Sequence, residues 1–226
     1  MEIEATFNSQ GEAVKGRDRL RRTLFKRVSR ADDADLTVLT VLRARAFLAV
    51  FPTYGPAWHR LGKALSNIAR YEEAEQALLK AIEYCPPEIL WAPYGAMGHL
   101  FKASGDYGRA AEWFRRVIET DPDDAGGYIF LGAVLALQGR LAEAEEVHRR
   151  ATQCAGGYLD EAFLNLGFVL RAQERFTEAA ECFEEAISRD PDDRDAKRAL
   201  RDVTACMTEP ESSGGQGMTE TPPCDA

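Results

Sequence analysis

One five-residue pattern occurs four times along this chain of 226 residues. It consists of an aromatic residue, two variable residues, Leu or Met, and then Gly, and its glycines are 36, 34 and 35 residues apart. An alanine stands twelve residues after each glycine, and twelve residues further on stands Pro, or Gly in the third copy. This period predicts a stack of similar units, because a single copy is too short to bury its own apolar face. The repeated positions include Trp58, Leu61, Gly62, Ala74, Pro86, Gly98, Ala110, Pro122, Gly132, Ala144, Gly167, Ala179 and Pro191.

The spacing within each copy predicts two helices that pack closely. The aromatic residue, the Leu or Met and the Gly fall on one side of a first helix. Gly and Ala at fixed places allow two helix backbones to approach, and the large side chains fill the space beside them. Asp-Pro-Asp-Asp sequences at 121–124 and 190–193 separate the copies, since Pro ends one helix and Asp caps the next. We therefore expect each copy to be an antiparallel helix pair.

These positions resemble the signature of the tetratricopeptide repeat (TPR), W-x2-L-G-x2-Y…A-x3-F…P, which recurs in that family with the same period. The resemblance covers about residues 55–191 and implies an all-α fold, a right-handed α-solenoid of antiparallel helix pairs. It implies repeats at 55–88, 91–124, 125–158 and 160–193. TPR arrays usually receive a peptide segment of a partner in a concave groove, so the resemblance implies a non-catalytic protein–protein interaction scaffold or adaptor.

The segments outside these repeats carry weaker patterns. Residues 35–54 are predicted to form the second helix of a degenerate repeat, because Pro52 lies one repeat period before Pro86. Residues 1–34 are predicted to be a basic N-terminal arm and helix, and residues 194–206 a capping helix with one narrow apolar side. Residues 207–226, rich in Gly, Ser and Pro, are predicted to be a disordered acidic tail. Gly156 and Gly157 replace the third proline and predict a softer joint between the third and fourth repeats.

A second side of each first helix carries the candidate binding residues. This side consists of four positions in each repeat: three residues before the glycine, and one, four and five residues after it. Helical rotation brings these positions together, and in a TPR superhelix this side lines the groove. It is polar and basic in the first two repeats and apolar in the last two, which suits an acidic–apolar segment of a protein partner. Alternatively, the C-terminal cap, the tail or another copy of the chain covers the apolar half. The selected residues are His59, Lys63, Asn67, His99, Lys102, Ile129, Ala133, Leu164, Phe168 and Arg171.

Two further features of the repeats bear on the partner. Ile89, Leu90 and Trp91 stand at a corner where two extra residues are inserted, and they form either an exposed apolar patch or local packing. Some TPR domains grip the C-terminal carboxylate of chaperones with a clamp of two Lys, two Asn and one Arg. The corresponding positions here include His59, Lys63 and Ala96, so the clamp is not reproduced.

The N-terminal region suggests a second class of function. Residues 11–30 hold eight basic and two acidic side chains, a local charge of +6. This helix is either an arm that binds RNA, DNA or an anionic membrane surface, or the solvated side of a first helix docked on the array. The net charge of −9 opposes attraction of the whole chain to nucleic acid. A third interpretation is a homo-oligomeric scaffold, and the sequence leaves the oligomeric state open.

Motifs of catalysis are not found in the sequence. It contains no phosphate-binding Gly-rich loop, no GxSxG and no HExxH, and it has only three histidines. One of them, His148, takes the place of the core residues Leu78, Phe114 and Phe183. We therefore expect no enzymatic activity, no metal and no cofactor. The five cysteines include no CxxC pair, which predicts reduced thiols. The acidic start lacks the features of a secretory signal, which predicts a cytoplasmic protein. No apolar run is long enough to span a membrane.

Overall fold

The computed structural model describes the backbone of residues 2–208 and the side chains of residues 15–208. This part of the chain forms eleven α-helices and one short 3₁₀ helix, and it contains no strand. The prediction of an all-α solenoid of helix pairs is confirmed. The helices are α1 (Glu2–Asp32), α2 (Thr37–Val50), α3 (Gly55–Asn67), α4 (Tyr71–Tyr84), the 3₁₀ helix (Pro87–Ile89), α5 (Trp91–Ala103), α6 (Tyr107–Thr120), α7 (Ala125–Leu137), α8 (Leu141–Ala151), α9 (Leu159–Ala172), α10 (Phe176–Arg189) and α11 (Arg194–Thr208).

Consecutive helices pack as pairs, α3 with α4, α5 with α6, α7 with α8 and α9 with α10. The glycine of each first helix faces the large residue of the second. A Cβ atom on Gly98 would lie 2.4 Å from Cε1 of Phe114, and one on Gly167 would lie 2.5 Å from Cε1 of Phe183. Such distances are far below van der Waals contact, so the repeated glycine is required by the close approach of the two helices.

The turn inside each pair has the same backbone conformation. Seven residues after each glycine stands a residue with positive φ, and the four are Ala69 (57°), Gly105 (82°), Gly139 (76°) and Glu174 (62°). Asp35, between α1 and α2, also has a positive φ of 52° and lies one repeat period before Ala69. The turn between α1 and α2 therefore resembles the turns inside the later pairs, although Val28 stands at the glycine position.

The second half of α1 packs on α2. Val28 and Ala31 are fully buried. The ring of Phe25 lies 5.6 Å from that of Phe47 and 4.8 Å from that of Tyr54, measured between centroids. This aromatic cluster takes over the packing that glycine and a single large residue provide in the later pairs.

Aspartates begin the helices that follow the predicted Pro-containing junctions. The Asp124 side chain accepts a hydrogen bond from the backbone N–H of Gly126 at 2.8 Å and begins α7. Asp193 accepts from the N–H groups of Asp195 and Ala196 at 2.8 and 3.0 Å and begins α11. The predicted caps are confirmed at both junctions, since each satisfies an amide that the helix leaves unpaired.

The third junction uses glycine to bring two loops together. The N–H of Gly156 donates to the carbonyl of Asp123, and the N–H of Ala125 donates to the carbonyl of Gly156, both at 3.1 Å. Gly157 has a φ of +86°, and a Cβ atom there would lie 2.8 Å from the Ala125 nitrogen. Contacts divide the chain into two compact units just after this junction, one ending at Tyr158 and one beginning at Leu159. The softness predicted for the joint remains a prediction.

The second compact unit has its own core. Leu166, Leu170, Phe183, Ala199 and Val203 are buried together, and they come from α9, α10 and α11. The helix α11 packs on α10 and ends at Thr208, two residues beyond the predicted cap at 194–206. The rest of the predicted tail, 209–226, lies outside the described residues.

Candidate functional site

The predicted groove residues of the first compact unit lie on neighbouring first helices. The helix α3 contacts both α1 and α5. His99 of α5 lies edge-on to Phe130 of α7, with 4.6 Å between the ring centroids. We call the side of α3, α5 and α7 that carries the predicted groove residues the first-helix face.

The basic residues of α3 already have carboxylate partners. The Nζ atom of Lys63 lies 3.5 Å from Oδ2 of Asp32, at the end of α1. Arg60 forms an ion pair with the same carboxylate and lies 3.5 Å from Oδ1 of Asp33. The predicted basic end of the groove is therefore partly neutralised. The sequence prediction missed Arg60 and Asp32, although Asp32 lies one repeat period before Ser66 and extending the helical register into α1 would have identified it.

The imidazole of His59 is half-buried beside these charges. Burial, together with the positive charges of Lys63 and Arg60, lowers the pKa of His59 to about 4, and the negative charge of Asp32 opposes this shift. The ring is therefore neutral near pH 7, and it offers a hydrogen bond rather than a charge. Asn67, the last residue of α3, is exposed.

The helix α5 carries a cation without a carboxylate partner. Lys102 is exposed and forms no ion pair within residues 15–208. Two ring contacts orient His99 one turn earlier, because it meets Phe114 edge-on at 5.2 Å as well as Phe130. His99 is exposed, but contact with these rings removes part of the water around its imidazole and lowers the pKa of His99, and the charge of Lys102 lowers it further. The positive charge on α5 near pH 7 therefore belongs to Lys102.

The structure corrects the prediction for α7. Ile129 is 2% exposed, so it forms part of the core instead of a surface pocket. The helix starts with small residues that allow α6 to approach, since a Cβ atom on Gly127 would lie 2.8 Å from Cγ1 of Ile118. Ala133 is half-buried, and the exposed apolar residue is Leu137 at the end of the helix, with 54% of its surface accessible.

In the second compact unit the predicted residues take part in packing. Leu164 and Phe168 are half-buried against the core, and the ring of Phe168 lies 5.3 Å from that of Phe183. The Arg171 guanidinium lies 5.1 Å above the Phe168 ring, and its Nη1 atom is 3.8 Å from Oδ2 of Asp202 on α11. Asp202 of the capping helix thus reaches the charged group above Phe168, and the covering of the apolar half by the cap stays a prediction.

The inserted corner is only partly exposed. Ile89 and Leu90 are half-buried, whereas 55% of the surface of Trp91 is accessible at the first turn of α5. Two of the three side chains are therefore partly buried, as the local-packing interpretation expects, and Trp91 alone of the three is exposed.

His148 is a core residue, as the sequence predicts. It is 1% exposed, and its Nδ1 atom has no hydrogen-bond partner within the described part of the chain. Burial lowers the pKa of His148 to about 4, so the ring is neutral near pH 7. Among the described residues, no three His, Cys, Asp or Glu side chains are grouped as metal ligands, and no helix combines the length and apolarity needed to cross a membrane.

Comparison with known proteins identifies the repeats independently. One tetratricopeptide repeat model matches residues 55–88 and 93–124, and a second matches residues 123–192. Among curated proteins, the chain is 29% identical over 98 residues to Protein O-mannosyl-transferase TMTC2 and 26% identical over 129 residues to TMTC3, both of Homo sapiens. These matches cover 42% and 50% of this chain but only 12% and 14% of the relatives.

Solved structures show the same fold at low identity. PilW, a type IV pilus biogenesis factor, superposes with a TM-score of 0.70 at 15% identity, over 84% of this chain and 87% of PilW. YrrB, a TPR protein with an unusual peptide-binding site, gives 0.57 at 20% identity, over 77% of this chain and 88% of YrrB. Repeat models, helix pairs and structural neighbours agree: the chain belongs to the tetratricopeptide repeat family, whose repeats form protein–protein interaction scaffolds and whose fold is generally non-catalytic.

Proposed function

We propose that the first-helix face binds an extended segment of a partner protein in which acidic residues are followed by apolar ones. The observation that carries this proposal is the position of Lys102. It is exposed, it forms no ion pair within residues 15–208, and its helix lies next to the one that presents Leu137. A cation on α5 and an exposed apolar side chain on the neighbouring α7 match an acidic–apolar sequence in both charge and hydrophobicity.

Lys102 contributes more to recognition of the acidic groups than Lys63 does. A partner carboxylate at Lys63 has to compete with Asp32, whose side chain is only 13% exposed and also pairs with Arg60. Lys102 presents its charge without such competition from the described residues. The acidic anchor therefore lies on α5, and the neutral His59 and the exposed Asn67 supply hydrogen bonds on α3.

The apolar residues of the segment contact the end of α7. Leu137 is 54% exposed, and the small side chains of Ala133 and Ala136 beside it leave room for a partner side chain. Ile129 does not contact the segment, because it is buried in the core that holds α7 in place. In the second compact unit, the exposed part of Phe168, together with Leu164 and Arg171, is a separate surface of the same apolar and basic character.

The test uses a fluorescein-labelled peptide of twelve residues, with aspartates in one half and leucines and valines in the other. Fluorescence anisotropy is measured with the unaltered protein, with Lys102→Glu and with Leu137→Asp. Lys197→Glu on α11, another exposed lysine, is the matched control. Circular dichroism verifies that each variant folds.

Both variants on the first-helix face are expected to weaken peptide binding about tenfold, which corresponds to about 1.4 kcal/mol. The effect of Lys102→Glu should shrink as salt is raised, because screening weakens an exposed ion pair. Equal affinities for Lys102→Glu and Lys197→Glu would refute the proposed acidic anchor. Equal affinities for Leu137→Asp and the unaltered protein would refute the apolar one.

A further inference from the structure

A second surface with the character of a binding site lies at the N-terminal edge, by which we mean the outer surface of α1 and α2. These are the first described helices, and no described helix pair precedes them. A depression of about 460 Å³ opens between them. Its lining consists of Leu24, Arg27, Arg30, Arg43, Ala46 and Phe47.

The equivalent positions one repeat later are buried and apolar. One repeat period further on from Arg27, Arg30 and Arg43 stand Leu61, Ala64 and Ala77. These three are 4%, 2% and 3% exposed. They are covered because the pair α1–α2 precedes them, and Leu61 and Ala77 share a depression with Leu48 of α2. The N-terminal edge thus has the geometry of a surface on which another helix packs, but with three arginines in the core positions.

Capping alone does not explain these arginines. A terminal repeat needs a polar outer surface for solubility, and charges of either sign provide it. Here Arg27, Arg30 and Arg43 line one depression, and none of them forms an ion pair within residues 15–208. Arg43 is also held in place, since its Nη1 atom donates to the Arg27 carbonyl at 2.9 Å. Like charges that line one depression repel one another, and an anionic partner relieves that repulsion.

The helix α2 adds an apolar row beside the depression. Val38 and Leu42 are 65% and 61% exposed, and Ala46, one turn further along, lines the depression itself. Successive residues four apart lie on the same side of a helix. The helix α2 thus presents apolar side chains on its outer side as well as on its buried side, where Val41, Phe47 and Leu48 belong to the core. Its outer side therefore lacks a partner among the described residues.

We propose that the N-terminal edge binds an amphipathic helix of another protein, placed where the second helix of a preceding repeat would pack. Acidic residues of this helix contact Arg27, Arg30 and Arg43, and its apolar residues contact Val38 and Leu42. A depression with a floor of apolar side chains accommodates a protruding side chain, which a flat lipid surface does not supply. The chain's own residues 209–226 do not fit this role, since they include three prolines and three glycines and few apolar residues.

The probe for this site is a fluorescein-labelled synthetic helix of twenty residues, with glutamates along one side and leucines along the adjacent side. The edge variant is Arg27→Glu with Arg30→Glu. Its matched control is Arg19→Glu with Arg22→Glu, because both of those residues are exposed on the same helix and the change in net charge is identical. Leu42→Asp tests the apolar row, and Arg43→Gln is the milder change should the double variant fail to fold.

The edge variant and Leu42→Asp are each expected to weaken binding of the helix at least tenfold at 150 mM salt, with the control within twofold of the unaltered protein. Lys102→Glu should leave this binding unchanged, which separates the N-terminal edge from the first-helix face. The proposal is overturned if the edge variant and its control lose affinity equally, because the helix would then respond to total charge alone. It is also overturned if phosphatidylserine vesicles or duplex RNA bind more tightly than the acidic helix.

Discussion

Replacing His148 with phenylalanine should stabilise the protein. The residue is 1% exposed, and its Nδ1 atom lacks a hydrogen-bond partner in the described part of the chain. Leaving a buried polar atom unsatisfied costs about 1–3 kcal/mol. Phenylalanine occupies the equivalent position in another repeat with the same spacing between the helices. A Cβ atom on Gly98 would lie 2.4 Å from the Phe114 ring, and one on Gly132 would lie 2.5 Å from the His148 ring. We therefore expect His148→Phe to raise the free energy of unfolding by about 1–3 kcal/mol at pH 7.5.

The stability gained through His148→Phe should grow as the pH falls. The folded protein holds His148 with a pKa of about 4, whereas the unfolded chain has the ordinary value of 6.5. Between these values the unfolded chain takes up a proton that the folded protein does not, so the unaltered protein loses stability through this window. Above pH 6.5 this contribution is constant. At pH 5 the additional difference between the two proteins is about 2 kcal/mol.

The assay is urea unfolding monitored by circular dichroism at several pH values between 7.5 and 5, with the slope of each transition compared as well as its midpoint. His59, which also has a pKa of about 4, is present in every protein compared and cancels. His148→Gln is the control, because it removes the titration but keeps a buried polar group. A difference between His148→Phe and the unaltered protein that stays constant from pH 7.5 to 5 would refute the reasoning.

Three further predictions concern backbone geometry and are measured by the same unfolding assay. Gly98→Ala should destabilise the protein by about 1–3 kcal/mol, because its Cβ atom would lie 2.4 Å from the Phe114 ring; a smaller loss would mean that the helix pair adjusts freely. Ala69→Gly should stabilise the protein by about 0.5–1 kcal/mol, and Gly105→Ala should destabilise it by about the same amount. The reason is that both positions have a positive φ, which glycine adopts more easily than alanine. Changes in stability of equal sign for the two variants would contradict this. Gly157→Ala should cost about 2 kcal/mol, because it combines positive φ with a close backbone contact; faster hydrogen exchange at the neighbouring amides would locate the damage.

The helix pairs were predictable from the sequence because their contacts join positions at fixed separation. The glycine at 98 and the large residue at 114 meet in one unit, and the same separation recurs at 167 and 183. The junctions were equally readable, since an aspartate caps the helix that follows it. The degenerate first pair was harder to identify, because Val28 replaces the glycine and only the positive φ of Asp35 shows the shared backbone.

The candidate site was less predictable because it depends on contacts between helices far apart in sequence. The helical register placed Lys63 and Ile129 on the same side of their helices as Lys102. The register does not reveal that Asp32 already pairs with Lys63 or that Ile129 is enclosed in the core. The exposed Leu137 had to be distinguished from Ile129 by burial, a property of the whole array.

The sequence by itself determined the family, the helix pairing and the core residues at the repeated signature positions, because the contacts within each repeat join residues at a fixed separation. Tertiary structure decided which of the charged and apolar residues remain available to a partner. Availability depends on the neighbouring pair: Leu61 is covered because α2 precedes it, whereas Arg27, at the equivalent position in the first pair, is exposed. Local spacing therefore specifies the helices, and the order in which they stack specifies the binding surfaces.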